Sequence, residues 1–107
     1  MRVILAEPII NFDVSDASRF GELVLLFQHK VNPFQADLFL QFREALDDLQ
    51  FNPDYDYICL TGRVAVLPIL VSVVVSDWGV PIKVLIFDAV SATYKELEID
   101  EPCFESV

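Results

Sequence analysis

The chain has 107 residues, of which 54% are hydrophobic, 12% aromatic and 22% charged, a size that suits one domain and a composition that excludes intrinsic disorder. Seventeen acidic residues against seven basic ones give a formal net charge of -10. The basic residues Arg2, Arg19, Lys30, Arg43, Arg63, Lys83 and Lys95 are scattered, so neither direct nucleic-acid binding nor attachment to an anionic membrane surface is expected.

Arg2 to Ala6 reads as a short β-type run, closed by Glu7-Pro8, which also breaks the N-terminal apolar stretch too early for a signal peptide or anchor. Asn11 to Arg19 is polar and turn-rich. After Gly21, the continuous apolar run from Glu22 to Phe27 reads as a buried strand. His29 to Asn32 form a loop, and Asn32 is placed to cap a helix with Pro33 at its first position. That helix is expected from Pro33 to about Gln50, because Phe34, Leu38, Phe42, Ala45, Leu46 and Leu49 recur at helical spacing. Asn52-Pro53-Asp54 ends it.

Asp56 to Leu60 is a short apolar strand broken by Thr61-Gly62. Arg63 to Trp78 is rich in valine, which favours strands, yet it has crossover length between the apolar strands Tyr57 to Leu60 and Ile82 to Phe87, so it reads as the helix of a βαβ unit. Pro68 suits only a first turn, which moves the regular helix towards Leu67. Ser72, Ser76 and Asp77 fall on one narrow side of it. Its run from Val64 to Val75 is too short to span a bilayer, and a cytoplasmic location is expected. Asp88 to Thr93 turns into Tyr94 to Ile99, whose alternation of apolar and charged residues marks a half-exposed strand in an edge hairpin. The order is therefore β-β-α-β-α-β-β: one small α/β domain over residues 1–99, with a mostly parallel central sheet and an antiparallel C-terminal edge hairpin, followed by an acidic tail over 100–107.

No motif fixes a reaction, a cofactor or a metal, so none is expected. Cys59 and Cys103 are too few for a disulfide framework and too far apart for a CxxC site. Glu7, Asp13, Asp16 and Asp56 lack the spacing of a calcium loop and read as solvated charge, and His29, the single histidine, reads as a loop residue. In parallel α/β sheets ligands sit beyond the carboxyl ends of the strands, which places a candidate anion site at Thr61, Gly62 and Arg63, with Asp88 able to pair with Arg63. Free N–H groups at the start of the following helix would complete it.

The Asp54-Tyr55-Asp56-Tyr57 alternation suits the rim of a protein contact. Trp78 is either a core plug or an interface anchor. The valine-rich helix is apolar around nearly its whole circumference and calls for cover on both sides, by the sheet and by another element or a second copy of the chain. Val66, Ile69, Val73, Trp78 and Tyr55 are thus the candidate interface residues, and the leading expectation is a non-enzymatic, self-associating module that binds a protein partner as a homodimer. The alternatives are a phosphate- or nucleotide-binding protein using Thr61 to Arg63, and an acidic mimic of nucleic acid, which requires carboxylates spaced along one face. In size and composition the chain resembles small bacterial and phage α/β proteins, a likeness that carries over no residue.

Overall fold

In a computed structural model, which describes residues 1–10 and 12–100, the chain forms a five-stranded sheet in the order β2-β1-β3-β4-β5. The strands are β1 (Arg2–Leu5), β2 (Glu22–Leu25), β3 (Tyr57–Cys59), β4 (Ile82–Asp88) and β5 (Thr93–Ile99), and the helices are α1 (Leu38–Asp48) and α2 (Leu67–Trp78). β1 pairs in parallel with both β2 and β3, β3 pairs in parallel with β4, and β5 returns antiparallel along β4.

Alternation along the strands divides the core between two faces. Ile4, Ile58, Ile82 and Val84 face α1 and α2, where they meet Leu38, Phe42, Leu46, Leu70, Val73 and Val74. Val3, Leu5, Tyr57, Cys59 and Leu85 face the other way, onto Ala17 and Phe20 of a 3-10 helix (Ser15–Phe20) and onto Tyr94. The chain thus steps from β1 to β2 across one face, then from β2 to β3 and from β3 to β4 across the other. Crossovers of a single hand require this division when the direction of travel along the sheet reverses.

The sequence reading holds for α2. Pro68 lies in the first turn of a helix beginning at Leu67, and the exposed side is Pro68, Ser72 and Ser76, with Asp77 exposed at the C-terminal end. Two elements differ. Helix α1 starts at Leu38 and not at Pro33, because Asn32-Pro33 initiates a turn instead of capping a helix. The Asn32 side chain accepts the Phe34 N–H at 3.0 Å and its carbonyl accepts the Gln35 N–H at 3.1 Å. Asn52-Pro53 builds the same turn, with Asp54 N–H on the side chain at 2.9 Å and Tyr55 N–H on the carbonyl at 3.0 Å. Strand β2 is half-buried, because the topology puts it at the edge, where among the described residues it pairs only with β1. A glycine is needed just before it: Gly21 has φ +152°, and a Cβ there would sit 2.5 Å from the Met1 carbonyl oxygen. The acidic tail lies, apart from Asp100, outside the described residues.

Candidate functional site

β1 and β3 are neighbours whose outgoing connections leave towards opposite faces, so the crevice beyond their carboxyl ends is the position where doubly wound sheets take ligands. Here an ion pair spans it. Glu7, two residues past β1 and 3% exposed, receives Arg63 Nε on Oε1 and Arg63 Nη2 on Oε2, both at 2.6 Å. The same Nη2 donates to the Val31 carbonyl at 2.5 Å, and the Val31 N–H donates back to Glu7 Oε2 at 2.8 Å. The connections that follow β1, β2 and β3 are therefore tied at one point. The Arg63 guanidinium holds the Glu7 carboxyl below its ordinary range; burial opposes this, and the Val31 amide adds to the lowering. A cleft of about 160 Å3 beside the pair is lined by Pro8, Ile9, Ile10, Lys30 and Gly62 together with the two charged groups.

Thr61, Gly62 and Arg63 do lie at the carboxyl end, but their chemistry is directed inward. The Thr61 hydroxyl is 2.7 Å from the Tyr94 hydroxyl, and burial drives the Tyr94 pKa up to about 12 and raises that of the neighbouring Cys59 thiol. Arg63 is neutralised by Glu7. Asp88 does not meet it: its carboxylate pairs with Lys95 at 2.6 Å and accepts the Val90 N–H at 2.9 Å. Nor are N–H groups free at the start of α2. Those of Val66 and Leu67 donate to the Arg63 carbonyl, those of Ile69 and Leu70 donate to Val66, and Pro68 has none.

The acidic residues also differ from the sequence reading. Glu7, Asp16 and Asp56 do not converge; they pair with Arg63, Arg19 and Arg2 respectively. Glu7 and Asp56 are buried, not solvated. At Asp56 burial pushes the carboxyl up, but Arg2 and the Asn52 amide together outweigh it and leave the pKa lowered. Among the described residues no group of three or more His, Cys, Asp or Glu could hold a metal ion. With Asp77 on Arg43 and Asp88 on Lys95 as well, five carboxylates among the described residues are engaged in ion pairs, while Glu96, Glu98 and Asp100 stand exposed along β5 and just past it.

Of the candidate interface residues, Val66 and Val73 are core side chains at 1% and 0% exposure, and Ile69 packs half-buried against the same core. Trp78 meets Phe51 edge-to-face, with centroids 5.2 Å apart, so it plugs the core. Tyr55 is exposed at the opposite, amino end of the sheet. Helix α2 finds its second cover within the chain: α1 lies against it, and Arg43 on α1 pairs with Asp77 on α2. The need for a second copy on this helix disappears.

The sequence reading missed where the apolar surface lies. Among the described residues the four most exposed large apolar side chains are Val90 (97%), Phe34 (92%), Val64 (85%) and Ile10 (75%). Each stands on a connection leaving the carboxyl end of a strand: Ile10 after β1, Phe34 after β2, Val64 after β3 and Val90 after β4. Phe12 extends the row, stacked edge-to-face on Phe87 at 4.8 Å. A sequence signal existed, since Phe34 and Val90 each stand two residues after a turn-initiating Asn32 or Asp88. A second depression of about 380 Å3, lined by Leu26, Phe27, Gln41, Glu44, Ala45, Asp48 and Leu49, lies between α1 and the β2 side of the sheet. No helix among the described residues is long and apolar enough to cross a membrane.

These features define a small doubly wound α/β domain whose switch point is closed by an ion pair and whose carboxyl-end loops carry apolar side chains outward. Residues 6–101 match the model of the Phage Pam3 gp32-like protein family, and the chain belongs to that family. No curated protein and no solved structure matches it.

Proposed function

We propose that this chain is a small phage accessory protein that works as a non-enzymatic protein-interaction module, with its carboxyl-end loops as the docking face. The observation that carries the reading is the convergence of Ile10, Phe34, Val64 and Val90 on one end of the sheet. Single exposed aliphatics are ordinary, but here the most exposed apolar side chains among the described residues all stand on loops at the same end of the sheet, where they offer a partner several apolar anchors. The loops beneath are held by the Glu7–Arg63–Val31 tie, so the face is organised before a partner arrives and little ordering entropy is lost on binding. A phosphate- or nucleotide-binding role draws no support from Arg63, whose guanidinium is already engaged.

The test is site-specific photo-crosslinking in phage-infected cells, with the reactive group at Phe34 or Val90 and, as control, at Tyr55 on the opposite end. Discrete adducts from 34 and 90 are expected, and none of equal yield from 55. An adduct of twice the chain mass would make a second copy the partner. Equal labelling from both ends, or none from the loops, would overturn the reading.

A further inference from the structure

A second surface, separate from the carboxyl-end loops, has a chemistry specific enough to name what it takes. β5 is seven residues long and contains no proline, and each residue from Thr93 to Ile99 faces one residue of β4 without a bulge. Its other edge carries no strand among the described residues; at its start Asp16 accepts the Tyr94 N–H at 2.8 Å and Arg19 donates to the Tyr94 carbonyl at 2.7 Å, so the backbone row open to solvent runs from Lys95 to Ile99. β2, the opposite edge, has only four residues.

The two faces of β5 differ in kind. Lys95, Leu97 and Ile99 lie on the helix side, where Leu97 and Ile86 are 50% and 40% exposed, because α2 does not reach over the hairpin. Lys95 is neutralised there by Asp88. The other face carries Glu96 and Glu98, with Asp100 next in the alternation, all exposed and about 6.8 Å apart in sequence register. Lys83, across from Glu98 in the ladder, turns its ammonium to the Asp54 carbonyl at 2.8 Å.

We infer that the free edge of β5 receives an extended segment of a partner protein in which lysine or arginine alternates with aliphatic residues. Backbone groups of the segment continue the ladder, its aliphatic side chains cover Leu97 and Ile86, and its cations meet Glu96 and Glu98. The acidic edge also selects against self-pairing, because a second copy would bring the same carboxylates into a chain that already carries a charge of -10.

The probe is an end-blocked heptapeptide alternating lysine and valine, with binding followed by amide chemical shifts and hydrogen exchange. New protection confined to Lys95–Ile99 is expected, since the Tyr94 N–H is already held by Asp16. Of two peptides N-methylated at alternate residues, the one blocked on its ladder-facing edge loses binding and the other keeps it. A glutamate–valine peptide does not bind. The Glu96→Lys and Glu98→Lys double variant, checked for folding by circular dichroism, binds about tenfold more weakly or worse. A Phe34→Ser and Val90→Ser variant binds unchanged, which separates this edge from the proposed docking face. Equal binding by both N-methylated peptides would reduce the effect to charge attraction and overturn the inference. So would protection at β2 or α1 instead of β5, or no binding at all. The peptide comparison needs no protein variant, so misfolding of the double variant leaves the test intact.

Discussion

Glu7 and Arg63 are 56 positions apart, and no local pattern tells that a carboxylate after β1 will be buried against a guanidinium after β3. A charged residue beside a proline in a loop is ordinarily solvated, which is why the sequence reading placed it in water. Once buried, the pair becomes costly to break. Arg63→Met would leave the Glu7 carboxylate without its partner at 3% exposure and is expected to cost about 3 kcal/mol, measured by urea denaturation. Adding Glu7→Gln should recover part of the loss, because no buried charge then remains unpaired. The same pair gives a pH dependence. Glu7 and Asp56 have pKa values lowered in the folded chain, so their contribution is fully present above the ordinary carboxyl pKa of about 4. It is lost as pH falls below that value. Denaturation midpoints should therefore hold from neutrality to about pH 5 and drop below it. The drop should be smaller in the Glu7→Gln, Arg63→Met double variant.

At the scale of elements, hydrophobic period and turn residues made the five strands, α1 and the antiparallel edge hairpin legible, whereas α2 and the parallel core followed from the crossover length between two apolar strands. Phe34 shows where that information ends. It stands four residues before Leu38, as Leu38 does before Phe42, so period alone assigns it to the core face. Asn-Pro, however, serves equally as a cap or as the start of a turn, and which it becomes depends on where the chain must come from to reach α1. The two phenylalanines give a matched test. Phe42→Ala removes a fully buried ring and should cost about 3–5 kcal/mol, whereas Phe34→Ser should change stability by less than about 0.5 kcal/mol. Val73→Asp, which on the sequence reading severs a dimer, should unfold the chain itself, since Val73 has no exposure. Circular dichroism on the monomer separates the two outcomes.

For the molecule as a whole, charge is distributed unevenly along the strand direction. Helices that cross back over a parallel sheet end beside the amino ends of its strands, which brings Asp47 and Asp48 of α1 and Asp77 of α2 to that end. Glu22, Asp54, Glu98 and Asp100 stand there too, β5 being antiparallel. The helix C-termini add partial negative charge, and neither helix has a basic residue in its last turn. Two of the five ion pairs among the described residues involve nearly buried carboxylates, which salt screens weakly, whereas the acidic excess is exposed and repels itself through solvent. Raising sodium chloride from about 0.01 M to about 0.5 M shortens the Debye length from about 30 Å to under about 8 Å. It should therefore relieve more repulsion than it removes attraction. If the relief is about 1 kcal/mol, the melting temperature rises by about 4–8 °C for a domain of this size, measured by thermal circular dichroism. A fall over the same range would mean that the exposed pairs Asp16–Arg19, Asp77–Arg43 and Asp88–Lys95 outweigh the excess of like charge.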